Sequence, residues 1–259
     1  MLLEKVNDLG YLPHRIISLV PSQTELLFHL GLKAQTIGIT KFCIHPDTWF
    51  RSKILVGGTK NINHNTIARL QPDLIIANKE ENTRHDVMAL AENFPVWMTD
   101  VNDLNAAQEM ITDVGFLTGR QDNARQLTQD ISNAFAQISS NIKIPAAYLI
   151  WQEPFMAAGS DCFIDDMMKK AGFRNVFHPQ ARYPEVTLED IRNAGAEILL
   201  LSSEPYPFRE KHQAYFSEAL PGVKVLLADG EMFSWYGSRL LQAPAYLEQL
   251  YLRALNSAV

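Results

Sequence analysis

The sequence predicts an α/β protein with two Rossmann-like lobes, in which parallel sheets are flanked by helices and one long helix joins the lobes. Three observations lead to this fold class: short apolar runs alternate with helical patterns in both halves, a segment of the first half recurs in the second, and a long amphipathic pattern separates them. We therefore divide the chain into an N-terminal α/β lobe at 1–118, a connecting helix at 119–144 and a C-terminal α/β lobe at 145–259.

The first half opens with a strand, because the run 15–20 is rich in β-branched and apolar residues. Ser22 and Glu25 follow with the spacing of a capping box, which predicts a helix that reaches Leu30 and ends at Gly31. Further strands are predicted at 36–40, 74–77 and 96–98, and a further helix at 84–92. This alternation is typical of a largely parallel sheet.

The middle of the chain has a different pattern. Apolar residues recur three and four positions apart from Gln121 to Ile142, and no Gly or Pro lies between Gln121 and Pro145. This spacing predicts one amphipathic helix. At 1.5 Å per residue it would be roughly 30 Å long, which is enough to connect two lobes.

The second half repeats part of the first. Residues 66–80 align with residues 190–204, so that a helix, an acidic turn, an apolar strand and a polar strand tip follow in the same order. Glu80 and Glu204 occupy equivalent positions just beyond the predicted strand ends, where parallel α/β sheets bind their ligands. Strands are predicted at 146–150, 198–201 and 223–228, and a helix at 163–171. The sequence thus predicts two similar lobes with a ligand cleft between them.

Composition excludes several classes of partner. The formal charge is −6 and the chain has no cluster of Lys and Arg, so nucleic acid is not expected to bind. No apolar run approaches the roughly 20 residues that cross a bilayer. Residues 1–13 lack the apolar core of a secretory signal, which favours the cytoplasm for the chain as given. Cys43 and Cys162 are expected to be buried free thiols.

Four segments resemble the helical-backbone metal receptors, a class of periplasmic binding proteins that serve ABC importers. They are residues 17–28, 32–38, 56–60 and 70–77. The resemblance implies a protein that captures a corrinoid such as cobalamin, or a related metal chelate such as haem or a ferric siderophore, in a cleft between two lobes. It also implies a periplasmic location, a monomer, ABC permease subunits as partners, no catalytic cofactor and no metal ligated by the protein itself.

The resemblance also assigns ligand contacts. They fall at Phe42, Thr59, Lys60, Phe155, Tyr183, Glu231, Met232, Phe233, Ser234 and Trp235. A flat macrocycle needs broad apolar faces with polar groups at the rim, which these aromatics, with Arg182 and Arg239, could supply. Packing in a core is the alternative for Phe42, Phe155 and Phe233. Thr59 stands where the family has a Trp.

Two positions are assigned to transporter docking, which in the resembling proteins uses a surface Glu on each lobe. Glu189 retains the carboxylate of the C-terminal lobe, whereas Asn65 replaces that of the N-terminal lobe. This loss, like the start of the chain, favours a cytoplasmic carrier or sensor as the alternative function. An enzyme of the chelatase type, with His45 or His178 as a base, is less favoured because the sequence has no P-loop, nucleophile elbow or H-E-x-x-H motif.

Overall fold

The protein is described here by a computed structural model, which covers residues 1–138 and 143–256. The chain forms two compact units. Unit 1 contains residues 1–101, 105–130 and 236–239, and unit 2 contains residues 102–104, 131–235 and 240–259. Each unit has its own sheet and its own apolar core.

Unit 1 is built on a six-stranded sheet in which every neighbouring pair is parallel. The strands are β1 (Leu2–Leu3), β2 (Ile16–Ser18), β3 (Thr36–Ile39), β4 (Ile54–Leu55), β5 (Leu74–Asn78) and β6 (Val96–Thr99), in the order β1-β6-β5-β2-β3-β4. The helices are α1 (Pro21–His29), α2 (Asp47–Phe50), α3 (His64–Leu70), α4 (Arg84–Ala91), α5 (Leu104–Leu117) and α6 (Gln121–Phe135), and a 3-10 turn spans Val6–Leu9. The first residue of α5 and the last five residues of α6 are assigned to unit 2. Strands β2 and β5 are buried along their whole length, as expected for the centre of a parallel sheet.

Unit 2 has a five-stranded sheet centred on β7 (Ile144–Trp151). The other strands are β8 (Met156–Ala157), β9 (Phe173–Asn175), β10 (Ile198–Ser202) and β11 (Lys224–Ala228), in the order β11-β10-β7-β8, with β9 also paired to β7. Only the pairing of β7 with β8 is antiparallel. The helices are α7 (Phe163–Ala171), α8 (Leu188–Asn193), α9 (Glu210–Ala219), α10 (Glu231–Ser234) and α11 (Ala243–Leu255). A 3-10 turn spans Ser238–Leu241, and its first two residues are assigned to unit 1.

The internal repeat is present in the structure. Helices α3 and α8 begin 124 positions apart, at residues 64 and 188, and strands β5 and β10 begin the same 124 positions apart, at residues 74 and 198. Both helices are capped by a side chain, since Asn63 and Thr187 accept hydrogen bonds from the backbone N–H groups three residues later at 2.9 and 3.1 Å. The two units therefore contain the same helix–turn–strand element.

Two sequence predictions differ from the structure. The capping box of Ser22 and Glu25 is not formed, because α1 begins at Pro21, with Val20 as its N-cap. Proline suits the first turn of a helix, where its missing N–H has no partner to lose. Gly31 does follow the end of the helix, with φ of 77°.

The second difference concerns the long helix. Helix α6 begins at Gln121 as predicted but ends at Phe135, so its length is about 22 Å. Residues 136–138 have left the helix, and residues 139–142 lie outside the described residues. No helix in the described parts of the chain is long and apolar enough to span a membrane.

Candidate functional site

The polar groups of unit 1 gather where its parallel strands end. Asn78 is the last residue of β5, and its amide nitrogen donates to the Thr99 carbonyl at the end of β6 at 3.1 Å. The Asn78 backbone N–H donates to Asn82 Oδ1 at 2.9 Å, and Asn82 Nδ2 donates to the carbonyls of Leu19 and Thr59. Both asparagines are buried. Their amides join the loops that follow three strands into one surface at the carboxyl edge of the sheet.

The polar strip at 78–83, which follows β5 and contains the strand-tip residue Glu80, is shaped by Asn78. Its side-chain oxygen accepts hydrogen bonds from the backbone N–H groups of Glu80 and Glu81, at 2.8 and 3.3 Å. Lys60 Nζ donates to the Glu80 carbonyl, which connects the strip to the neighbouring loop. Both carboxylate-bearing residues are only partly buried. Glu80 and Glu81 therefore give this edge a negative potential.

Tyr236 lies within this negative field. Burial raises the pKa of its phenol well above the ordinary value, and the charges of Glu81 and Glu80 raise it further, whereas hydrogen bonds to Ser22 and Gln23 oppose the shift. The Gln23 side chain is fully buried and donates to Thr99 Oγ1 at 2.6 Å. Tyr236 is therefore a neutral hydrogen-bonding group at neutral pH.

An ion pair lies within the same unit. The guanidinium of Arg239 meets both oxygens of Glu25, at 2.9 Å from Nη2 and 3.1 Å from Nε. The two side chains are largely buried, and the two-point geometry is the strong form of this contact. Arg239, expected at the rim of the ligand site, is thus held by a carboxylate of α1.

Phe42 and Thr59 have different environments. Phe42 lies in the turn after β3 with half of its surface exposed, and the Lys41 ammonium stands 5.2 Å from its ring centroid. The backbone of Gly58 passes close to this ring, since a Cβ there would be 3.1 Å from Phe42 Cε2. Thr59, by contrast, is 7% exposed. Of these two predicted contacts, only Phe42 offers a broad free face.

In unit 2 the equivalent strand tip carries Glu204. Its Oε1 accepts hydrogen bonds from Ser234 Oγ at 2.6 Å and Trp235 Nε1 at 2.8 Å. Burial raises the pKa of Glu204, these two hydrogen bonds oppose the shift, and the charges of Glu231 and Asp229 reinforce it. The carboxyl group therefore connects the end of β10 to the segment after β11.

That segment contains five of the predicted ligand contacts. Phe233 is fully buried and packs on Tyr148, with ring centroids 4.8 Å apart. Trp235 is 6% exposed and is held by Glu204. The structure therefore assigns the Phe233 ring to the core, the alternative that the sequence had left open. Ser234 holds Glu204, and Glu231 and Met232 remain partly exposed.

The two remaining aromatic candidates also lie in unit 2. Tyr183 is partly exposed in the loop before α8 and follows Arg182, whose φ is 62°. Arg182 Nη1 donates to the Asp161 carbonyl at 2.6 Å. Phe155 is partly buried, with its ring 5.1 Å from that of Phe216 in the core. Both rings are thus partly exposed, and that of Phe155 packs against a core residue.

The two docking candidates are equivalent in structure. Asn65 and Glu189 are both exposed in the first turn of their helices, α3 and α8. Asn65 borders a depression of about 480 Å³, together with Asn61, Asn63 and His64. His64 Nε2 lies 2.7 Å from Asp86 Oδ1. The surface of unit 1 at this position thus presents amides where that of unit 2 presents a carboxylate.

Neither cysteine is placed to bind a metal. Cys43 and Cys162 are free and buried, as predicted, and burial raises the pKa of the Cys43 thiol. The residues that the structure describes include no group of three or more His, Cys, Asp and Glu side chains that could hold a metal ion.

Sequence reasoning missed the roles of Glu25 and Glu204. Glu25 was interpreted as half of a capping box, and Glu204 as a strand-tip carboxylate without an assigned contact. The partner of Glu25 is more than two hundred positions away in the chain, at Arg239. The internal repeat could have drawn attention to Glu204, because it places this residue opposite Glu80.

Polar groups at the carboxyl ends of the parallel strands in each unit are typical of an α/β protein that binds a small ligand. The family described as periplasmic binding protein matches residues 16–220, and the chain belongs to this family. This membership confirms the resemblance and the prediction of a solute-binding protein rather than an enzyme.

Similar proteins cover nearly the whole chain. An uncharacterized ABC transporter substrate-binding lipoprotein of Bacillus subtilis, YvrC, is 23% identical over 254 residues, which is 92% of this chain and 80% of the relative. The periplasmic vitamin B12 binding protein BtuF of Vibrio cholerae has a TM-score of 0.79 and 21% identity, over 95% of this chain and 99% of that structure. The periplasmic heme-binding protein RhuT from Roseiflexus sp. RS-1 has a TM-score of 0.80 and 19% identity, over 93% and 98%. These structures confirm the predicted fold class.

Proposed function

We propose that this protein captures a corrinoid, or a related metal chelate such as haem or a ferric siderophore, for uptake by an ABC importer. The observation that supports this most directly is family membership together with near-complete coverage of binding proteins for vitamin B12 and heme. The B. subtilis relative is named as an ABC transporter substrate-binding lipoprotein, which supports permease subunits as partners.

The ligand surface that we propose uses the carboxyl edge of each sheet. Phe42 in unit 1, which is half exposed, and Tyr183 in unit 2, which is partly exposed, supply the aromatic rings of this surface. Lys60, Glu231 and Met232 supply charge and a flexible apolar side chain beside them. Thr59, Phe155, Ser234 and Trp235 act mainly by holding these loops in place.

We also propose that α6 connects the two lobes, as part of the division into 1–118, 119–144 and 145–259. Glu189 and Asn65 are proposed to face the permease. A carboxylate can form a charge-assisted hydrogen bond to an Arg of the partner, whereas an amide forms only a neutral one. Docking through Glu189 is therefore proposed to be the stronger of the two contacts.

The first experiment is isothermal titration of the whole chain with cyanocobalamin, cobinamide and haem. Micromolar or tighter binding of one of them supports the proposal. Phe42→Ala and Tyr183→Ala should each weaken that binding about tenfold or more, because each removes a ring face. Phe116→Ala is the matched control, since Phe116 is an exposed aromatic on α5 and is not one of the predicted ligand contacts.

No heat with any of the three tetrapyrroles would refute the corrinoid and haem assignments and direct the search to siderophores. Equal affinities for Phe42→Ala, Tyr183→Ala and Phe116→Ala would contradict the proposed ligand surface. Thermal unfolding of each variant must first show that it is folded.

A further inference from the structure

Unit 2 contains a second feature suited to a small molecule, a depression of about 700 Å³. It lies between the residues that follow β7 and the start of α9. Its lining consists of Trp151, Gln152, Glu153 and Phe155 on one side and Tyr206, Lys211, His212 and Tyr215 on the other. The volume is in the range of small-molecule pockets.

The walls of this depression are aromatic and open. Trp151 is 39% exposed and Tyr215 is 49% exposed, although both are large apolar side chains. The rings of Trp151 and Tyr206 are in edge-to-face contact, with centroids 5.7 Å apart and planes at 73°. Trp151 Nε1 already donates to the Glu153 carbonyl at 3.1 Å. The indole is thereby fixed, and its face remains available to a flat guest.

One side of the depression carries a hydrogen-bond donor, the Tyr206 hydroxyl. His212 Nδ1 accepts the Arg209 backbone N–H at 2.8 Å, so Nε2 carries the ring proton, and it lies 3.3 Å from the Tyr206 hydroxyl. Burial lowers the pKa of His212, and the charges of Lys211 and Arg209 lower it further, which keeps the imidazole neutral. The Tyr206 hydroxyl accepts from His212 and can give its own proton to a guest.

Lys211 adds a charge on the same side. Its ammonium forms no hydrogen bond or ion pair with any other residue that the structure describes. A cation beside an apolar wall interacts with an acidic oxygen more strongly than a cation already neutralised by a protein carboxylate. The Lys211 ammonium and the Tyr206 hydroxyl can therefore hold one acidic group together.

The other side carries a hydrogen-bond acceptor, the side-chain oxygen of Gln152. Gln152 Oε1 is buried and has no hydrogen-bond partner within the described part of the chain. A buried carbonyl without a donor is unfavourable, which makes this atom a specific receptor for an N–H group. Glu153 also lines the depression.

We propose that this depression binds a flat aromatic acid that carries an N–H group. The ring lies against Trp151 and Tyr215, the acidic oxygens meet Lys211 and the Tyr206 hydroxyl, and the N–H group donates to Gln152 Oε1. The depression shares Phe155 with the predicted chelate contacts, but its proposed guest goes beyond the proposed function, because that guest contains neither a metal nor a macrocycle.

The test uses the whole chain and three probes of the same ring system. They are indole-3-carboxylate, its N-methyl derivative, which lacks the N–H donor, and indole-3-carboxamide, which lacks the charge. Affinities are measured by isothermal titration and ligand-observed NMR. We expect the carboxylate to bind about tenfold tighter than the carboxamide and about threefold tighter than the N-methyl acid, as expected for one charge-assisted and one neutral hydrogen bond.

Two variants assign these differences to residues. Lys211→Gln should abolish the preference for carboxylate over carboxamide, and Gln152→Leu should abolish the preference for the N–H acid. The matched control is Lys170→Gln, an exposed lysine of α7 in the same unit, which should leave all three affinities unchanged.

The proposal is overturned if indole-3-carboxylate does not bind at millimolar concentration, or if Lys211→Gln behaves as Lys170→Gln does. Neither result concerns the chelate, because tetrapyrrole binding is measured separately with variants of Phe42 and Tyr183, which lie outside the lining of the depression. Failure of one proposal can therefore be distinguished from failure of the other.

Discussion

The Glu204 carboxyl group shows how a single side chain organises the ligand-facing edge of unit 2. It receives hydrogen bonds from Ser234 and Trp235, and a Cβ at Gly230 would lie 2.4 Å from its Cγ, so the chain after β11 can approach only as glycine. Burial opposes ionisation of the group, as the raised pKa of Glu204 indicates. A buried carboxylate thus orders the loop at a cost to stability that depends on pH.

We expect Glu204→Gln to change the pH dependence of stability. Because the pKa of Glu204 is higher in the folded than in the unfolded chain, the folded protein binds more protons between the two values, and stability falls as pH rises through that window. Gln cannot ionise but can still accept from Trp235. The unfolding temperature of Glu204→Gln relative to the unchanged protein should therefore increase between pH 4.5 and pH 7.5.

The matched control for this measurement is Glu218→Gln, which removes an exposed carboxylate of α9. Parallel pH profiles for Glu204→Gln and the unchanged protein would show that the Glu204 carboxyl group does not contribute in this way.

The contrast between Phe42 and Phe233 shows how far sequence can assign aromatic residues. Both follow predicted strands in loops and both match the family pattern, yet Phe42 is half exposed and Phe233 is fully buried. Their different burial depends on residues distant in sequence, such as Gly58 beside Phe42 and Tyr148 beside Phe233. The pattern could therefore place both residues near the ligand edge but could not determine which ring is free.

At the scale of elements, the helix–turn–strand repeat was predictable because its signals are local. An N-cap side chain, an apolar helix face, a left-handed residue at the helix end and a buried strand all lie within sixteen positions of one another, from Asn63 to Asn78. The end of α6 was less predictable, because the helical spacing of apolar residues continues beyond Phe135. Periodicity alone could not identify this end, because the spacing of apolar residues does not change at Phe135.

The capping side chain of α8 gives a prediction at this scale. Thr187→Ala should lower the free energy of unfolding by about 1 kcal/mol, because the backbone N–H of Asp190 loses its acceptor. Thr187→Ser retains the hydroxyl and should cost much less. Urea denaturation of both variants measures the difference, and an equal loss for Ala and Ser would exclude the capping hydrogen bond as the cause.

The left-handed residue after each repeat helix gives another prediction. Gly195 in unit 2 has φ of 70°, and a Cβ there would meet no atom within 4 Å. The equivalent residue of unit 1 is Gln71, which carries a side chain at φ of 45°. Gly195→Ala should therefore destabilise the protein through backbone conformation alone, by about 1 kcal/mol.

Gln71→Gly should stabilise the protein or leave its stability unchanged, because it relieves the same backbone strain and loses only a hydrogen bond to Ala68. Chemical denaturation of both variants tests the pair. An unchanged midpoint for Gly195→Ala would contradict the assignment of strain to this position.

At the scale of the whole molecule, the segment Tyr236–Arg239 belongs to unit 1 although it follows most of unit 2 in sequence. Arg239 and Glu25 anchor it with a two-point ion pair, and Gly237 packs on α1, where a Cβ would lie 3.3 Å from Leu26 Cβ. Local sequence patterns do not predict this return of the chain to unit 1, because its contacts join residues that are far apart in sequence.

This ion pair can be tested by a double-mutant cycle. Arg239→Gln should cost about 2–3 kcal/mol in unfolding free energy, because a largely buried Glu25 carboxylate loses its counter-charge. Glu25→Gln combined with Arg239→Gln should cost less than the sum of the single changes, by about 1 kcal/mol or more. Arg51→Gln, in an exposed pair with Asp47, is the control and should be nearly neutral. Strict additivity would mean that the two charges are not coupled.

The return of residues 236–239 to unit 1 also bears on how the protein is made. During synthesis the first 130 residues leave the ribosome long before Arg239, because residues 131–235 of unit 2 are translated in between. Unit 1 therefore cannot be completed until this part of unit 2 has emerged, and the pair of Glu25 and Arg239 cannot form before then. The last contacts of unit 1 thus form only after most of unit 2 has been synthesised.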